Sequence, residues 1–528
     1  MKLRLSYFLI SGIIILCIFT SLSVWSRKNL TQIPTFDKNT YDAPSSSKYI
    51  PKNSDIVFHW KLNPTLLPSY IENYQDQFNK HESNKKISFI RDSSFKLIGL
   101  DFAKDISNWV GEYGSFAVID TNKNFPNDWI MILEIKDDVN IEEELESFLD
   151  LDNSDNSTKS NNQLSTSSTE VISKKIDLNH SIYLAKRKNN VLIASNPKII
   201  KSSIAESDSN ILETKGQYKY IQIKDNLNDG FLLFEMSSKN ILNAIGQEEK
   251  VLTLNETKDL ISSINIDKNS LNLEGIISFN DKFEIPVNKI DYNFIDIINE
   301  SELYEDFILV DNPNQYFRKE SNDPYQKLIA SIIQEAANSD YSNLFKIILK
   351  KSKGNLLWIN DKDWFILTRK SDTNKKEISD ILKQDKFLNS NLDFKDRNLE
   401  VWSKIITDGN EKYKIKENIG AIIDEDENTY FWSQNLSSFS NIDNSNYFKD
   451  SSDSKDKVDK VDDFDDILRI HLGKEKTKTV LNNFYPFILF RTMLGNKLNP
   501  PNNIDMSIAV PKINYPDFIK FKINLKTS

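Results

Sequence analysis

The stretch Asn127–Leu149, NDWIMILEIKDDVNIEEELESFL, decides how the chain reads. Its apolar run Trp129–Ile135 is short, bounded by polar residues, and of a length that suits one strand. A polar turn follows. Asn140 then stands as the N-cap of a helix with Glu142, Glu143 and Glu144 in its first turn, where the helix dipole favours them. Asp128 beside Trp129 at the mouth of the strand raises a functional question, because an acid next to an indole could bind a ligand.

The answer comes from residues 360–382, NDKDWFILTRKSDTNKKEISDIL, which repeat the pattern 235 residues later: Asp363–Trp364, an apolar strand, a polar turn, a helix. The flanks agree. EVISKKI from Glu170 matches EVWSKII from Glu400, and DIVFHWKLNP matches DFILVDNP, both ending in Asn-Pro at Pro64 and Pro313. Order is kept and insertions fall in polar segments, so the sequence implies an internal duplication of roughly 230–250 residues. A pair retained at the same strand opening in both copies reads as scaffold, the Asp capping a turn and the Trp burying its indole against a neighbouring helix. Asp128, Trp129, Asp363, Trp364, Pro64 and Pro313 are therefore taken as markers of a structural repeat, with Leu133 and Leu367 equivalent.

Working outward, strands are predicted over SDIVFHWKLNP, GSFAVID, EVISKKIDL, SIYLAKR and NVLIAS, and helices over TLLPSYIENYQ and FKLIGLDFAKDISNWVG, the latter stopping at Gly111. GFLLFEMSSKNILNAIG with SINIDKNSLNLEGIISF adds a strand, a helix and a strand pair, and the C-terminal region repeats that order. The expected fold class is α+β: an N-terminal transmembrane helix followed by two homologous α+β lobes, each built of strand–helix–strand–strand units with ferredoxin-like topology. The expected domains are an anchor or signal peptide over 1–28, a tether over 29–48, a first lobe over 49–300 and a second over 301–528. Polar, nearly core-less loops are expected at 150–169 and 446–466, where too little apolar surface is present to offset chain entropy.

At the N-terminus Lys2 and Arg4 precede an apolar segment from Tyr7 to Trp25, closed by Arg27 and Lys28. About 19 helical residues approach the ~30 Å hydrocarbon thickness, so the segment can span a membrane. Its length and basic stop favour a retained anchor over a cleaved signal, and the polar bulk beyond residue 30 is expected outside the cytoplasm.

Lys and Arg number 67 against 77 Asp and Glu, a net charge of −10 that disfavours nucleic acid as a partner. Cys17 is the sole cysteine and lies in the apolar run, so neither an internal disulfide nor a cysteine-rich metal site forms. His59, His81, His180 and His471 are too dispersed for a helical metal pair, and His59 and His471 fall on the polar faces of their strands as surface residues. DEDEN at 424–428 alternates like a calcium loop, but Thr429 and Asn435 stand where that loop needs Gly and Glu, so a hairpin turn is the better reading. No nucleophile elbow, zinc-protease helix, P-loop or dinucleotide fingerprint occurs. No catalytic, cofactor-binding or metal-binding residue is therefore assigned. The apolar stretch 482–495 is too short to cross a bilayer and reads as a core helix.

At YIPKNSDIVFHWKLNP, directly after the N-terminal apolar run, the sequence resembles an uncharacterised family of membrane-anchored extracytoplasmic proteins, a domain of unknown function known mainly from cyanobacteria. The resemblance implies α+β structure and a periplasmic or thylakoid-lumen address, and it carries no catalytic residue over to this chain. The expected function is that of a membrane-tethered, non-enzymatic binding or scaffolding protein whose partner is a protein or an envelope component. A carrier or chaperone for an apolar ligand, and a hydrolase with an unfamiliar site, are the alternatives.

Overall fold

The computed structural model describes residues 44–65, 80–119, 128–150, 171–176, 181–209, 227–237, 257–283, 290–294, 306–317, 323–337, 342–360, 364–407, 415–440, 464–483 and 501–526, apart from short gaps at 138, 229, 268–269, 292–293, 396 and 513–515. The apolar run 7–25, residues 151–169 and 446–463 of the two polar loops, Asp363, His180 and nearly all of 482–495 lie outside the described residues. The chain divides into two compact units, one of residues 1–277 with 481–501 and 524–528, the other of 278–480 with 502–523.

In chain order the first unit holds β1 (Ser54–Lys61), α1 (Lys80–Leu97), β2 (Val110–Ile119), β3 (Asp128–Ile135), α2 (Ile141–Asp150), β4 (Ile172–Lys175), β5 (Ser181–Arg187), β6 (Asn190–Ala194), α3 (Pro197–Asp208), β7 (Leu232–Ser237) and β8 (Thr257–Asp267), with β9 (Ser270–Phe279) at its boundary. β1 is the pivot. It pairs antiparallel with β2 on one side and with β7 on the other, so the spatial order is β4-β5-β6-β3-β2-β1-β7-β8. Both faces of the central strands are covered, which is why their sequences are almost continuously apolar. On one face Phe58, Phe116, Trp129, Met131 and Leu133 pack with Ile141 and Leu145 of α2 and with Phe95 of α1. On the other, Val57, Ala117, Ile130, Ile132 and Leu192 pack with Ile199, Ile200 and Ile204 of α3 and with Tyr49. Ser45–Tyr49, expected at the end of a polar tether, instead forms a 3-10 turn with Ser46, Ser47 and Tyr49 buried.

Two glycines shape this unit. Gly99 takes φ +84° after α1 and is the helix stop, whereas Gly111, the stop expected from sequence, lies inside β2. Gly114 sits opposite Trp60 in the β1–β2 register, and a Cβ there would meet the indole at 2.2 Å.

The second unit holds β10 (Asp306–Val310), α4 (Pro313–Tyr316), α5 (Pro324–Ala337), α6 (Asn343–Lys351), β11 (Leu356–Asn360), β12 (Trp364–Arg369), α7 (Lys375–Gln384), β13 (Leu388–Phe394), β14 (Arg397–Thr407), β15 (Ile415–Glu425), β16 (Thr429–Ser433), β17 (Phe464–Leu472), α8 (Lys474–Asn483), β18 (Asn503–Pro511) and β19 (Phe518–Lys526). Its pivot is β10, between β11 and β17, and the order is β14-β15-β16-β12-β11-β10-β17-β18, with β13 added outside β14. Apart from β13, this is the strand order of the first unit.

The α+β expectation is overturned. Nineteen strands are described, every pairing with a described register is antiparallel, and sheet dominates over helix. Separate strand–helix–strand–strand units with ferredoxin-like topology do not form, because β1 pairs with β7 and β10 with β17, joining the two expected units of each half into one sheet. The physical reason is that apolarity identifies a buried strand but not its neighbour, and a strand buried on both faces suits any central position. No transmembrane helix is found either: among the described residues no helix is long and apolar enough to cross a membrane.

Candidate functional site

The repeat markers lie in the sheets and at their strand ends. Trp129 is buried, its ring stacked on Phe116 at 6.0 Å, and its backbone N–H donates to Ser195 Oγ at 3.0 Å. Asp128 is half-buried and pairs in register with Ile119 at the end of β2. Trp364 is half-buried, and its carbonyl accepts from Ser433 Oγ at 2.9 Å. Both Trp–Ser contacts tie a strand opening to the end of the neighbouring strand, β6 or β16. Pro64 and Pro313 are both buried, each three residues beyond the end of the pivot strand. Asn63 fixes that exit in the first unit, donating from Nδ2 to Val110 O at 3.0 Å and accepting at Oδ1 from Thr65 N at 2.8 Å.

Sequence reasoning misplaced His59. It is 1% exposed, because α3 and the Ser45–Tyr49 turn cover the face of β1 that its alternation suggested was polar. Its Nδ1 lies 2.6 Å from Ser115 Oγ, which is 2.7 Å from Ser46 Oγ, so a hydrogen-bonded chain joins β1, β2 and the 3-10 turn. Burial, reinforced by the neighbouring Lys61 charge, lowers the imidazole pKa to about 3. A serine beside an imidazole is the raw material of nucleophilic catalysis. Here the imidazole is too weak a base at neutral pH, and Ser46, Ser115 and His59 are all closed to a substrate. The chain's chemistry is to hold three backbone segments together.

In the second unit Asp311 stands at the exit of β10, two residues before Pro313. Asp311 is fully buried, and burial raises its pKa to about 7, while Tyr316 O–H donates to Oδ1 at 2.9 Å. Tyr325 packs edge-on to Tyr316 at 6.3 Å and Phe283 stacks on Tyr325 at 4.2 Å, which seals the carboxyl from water. Among the described residues no three His, Cys, Asp or Glu converge so as to hold a metal. The calcium-like DEDEN segment makes a hairpin turn in which Asp426 Oδ1 accepts from Asn428 N at 2.9 Å and Thr429 N at 2.7 Å.

The accessible feature is β13, which sequence reasoning did not detect as a strand. Its residues Leu388, Asn389, Ser390, Asn391, Leu392 and Asp393 are all exposed, and its described pairing is with β14 alone. Leu388, Ser390 and Leu392 lie opposite Ser403, Val401 and Leu399. Leu399 and Val401 belong to the buried core, so that apolar face runs outward to the edge and remains uncovered there. Leu388 and Ile405 are each 76% exposed and Leu392 is 40% exposed. β14 is held rigidly beneath the edge: Lys375 of α7 bridges Glu400 at 2.8 Å and Glu425 at 3.1 Å, and Trp402 Nε1 donates to Glu400 at 2.8 Å. Asp385 and Lys386 precede the strand, and Lys395 follows it.

No curated protein and no solved structure matches the chain. Residues 8–527 match the model of a family described as a protein of unknown function (DUF3352), and the chain belongs to that family.

Proposed function

We propose that the chain is a non-enzymatic binding or scaffolding protein, held at a membrane by its N-terminal apolar run and presenting its two units to the periplasm or thylakoid lumen. The observation that supports binding is β13: an edge strand with exposed Leu388 and Leu392, beside exposed Ile405, that has no counterpart among the described residues of the first unit. Soluble proteins ordinarily protect such an edge with charges, prolines or a covering element. β13 carries one charge, Asp393, and no proline. Its use is to receive another strand, which supplies main-chain hydrogen bonds along the edge and apolar contact at alternate positions. The lysines and acids around it set the orientation of what docks.

A photo-cross-linking residue at position 388 of the full-length chain, illuminated in its own membranes, tests this. A protein adduct is expected at 388, abolished by Leu392→Lys with Ile405→Lys, and absent when the probe replaces exposed Lys198. An adduct-free position 388 would overturn the binding reading.

A further inference from the structure

We propose that β13 pairs antiparallel with β13 of a second copy of this chain, about a two-fold axis at Ser390. This rests on the reading of β13 as a binding edge and names its occupant. The strand contains Leu388-Asn389-Ser390-Asn391-Leu392, which reads the same in both directions. An antiparallel two-fold pair places residue 390 − n of one copy opposite residue 390 + n of the other. Leu388 then meets Leu392, Asn389 meets Asn391, and Ser390 meets itself.

The flanks carry complementary charge: Asp385 lies in the turn before the strand and Lys395 in the turn after it, so each end of the pair brings an acid of one copy near a base of the other. Both residues are exposed and therefore available. Matched apolar pairs directly opposite one another are units that stabilise an antiparallel ladder. An unrelated strand would meet the edge hydrogen bonds equally well but would have no reason to match this symmetry. Leu388, Ser390 and Leu392 share one face with Leu399 and Val401, so pairing would extend the apolar face of one sheet into the corresponding face of the second copy. Lys404, with Nζ 4.2 Å over the Phe387 ring and 3.2 Å from Asp385 O, holds the entry to the strand in place.

Disulfide mapping on the full-length chain in detergent tests the register. With Cys17 replaced by Ser, Ser390→Cys is expected to form a disulfide-linked dimer, since directly opposed residues have Cα atoms about 4.5–5.5 Å apart, within disulfide range. Leu388→Cys alone is expected to form no disulfide link on oxidation, because its copies would be displaced by four residues, about 13 Å. A mixture of Leu388→Cys and Leu392→Cys chains is expected to cross-link. Leu388→Lys with Leu392→Lys opposes like charges twice and is expected to halve the detergent-corrected mass, whereas Leu388→Glu with Leu392→Lys restores the dimer. All these positions are exposed, so an unchanged unfolding midpoint certifies the fold. A Ser390→Cys chain that forms no disulfide link, or a double-lysine chain that keeps its dimer mass, overturns the proposal. If position 388 cross-links only to a different protein, the binding reading stands and self-pairing falls; if it cross-links to nothing, both fall.

Discussion

His59 and Asp311 respond to burial in opposite directions, because a low-dielectric interior penalises whichever form carries charge. His59 has a folded pKa of about 3 against an ordinary 6.5, so between those values the unfolded chain takes up a proton that the folded chain does not. Its contribution to stability is full above about 6.5 and is lost as pH falls toward 3. Asp311 has a folded pKa of about 7 against an ordinary 3.8, so its contribution is full below 3.8 and is lost as pH rises through 7. Each effect is on the order of 4–5 kcal/mol across its window. Thermal unfolding at pH 5 and pH 8 checks both: Asp311→Asn should gain on the wild-type chain toward pH 8, and His59→Gln should gain on it toward pH 5. Differences from wild type that are equal at the two pH values would refute the assignment. The sequence showed His59 sharing a strand face with Val57 and Lys61, which suggested a wet face. It could not show that α3 and Tyr49 would cover that face from elsewhere in the chain.

Local structure was legible where a short-range chemical pattern demands it. Asn140 donates from Nδ2 to Glu143 Oε1 at 2.9 Å, and Asn374 makes the same contact with Glu377 at 2.7 Å while its Oδ1 accepts from Glu377 N at 3.2 Å. Asn374 is thus the N-cap of α7, and both contacts are expressed within four residues. Asn374→Ala should therefore cost about 1 kcal/mol, read as a lower urea midpoint with an unchanged slope; a loss below ~0.3 kcal/mol would show that the cap is idle. β13 was illegible for the converse reason. Asn, Ser and Asp are poor strand formers, and LNSNLDF becomes a strand because β14 offers it an edge, not because its own residues ask for one. The helix stop went to Gly99 in place of Gly111 on similar grounds. Both are glycines beside apolar residues, and only the chain path required the left-handed conformation at 99.

At the scale of the whole molecule, the strand order of the first unit recurs in the second among the described residues. Leu133 belongs to the core that contains Trp129 and Met131, and Leu367 to the core that contains Phe365 and Phe431. Leu133 pairs in register with Gly114 and Val191, and Leu367 with Leu357 and Phe431. A slip of one residue exchanges faces in a strand, and an apolar run cannot reveal it. Leu133→Ala and Leu367→Ala should each cost about 2–5 kcal/mol. The double variant should match their sum within ~0.5 kcal/mol, since the two sites share no packing partner. Coupling above ~1 kcal/mol in denaturant unfolding would mean that the cores communicate.

The sequence by itself determined which segments are strands and helices where apolar runs and caps are strong, the acidic balance, and the repetition of Asp-Trp and Asn-Pro along the chain. Those properties reside in neighbouring residues and survive without a fold. Strand partners, the burial of His59 and Asp311, the register of Leu367 and the existence of β13 were decided only by the tertiary structure. Each depends on contact between residues far apart in the chain, and a strand that is apolar on both faces carries no local mark of which neighbour it will take.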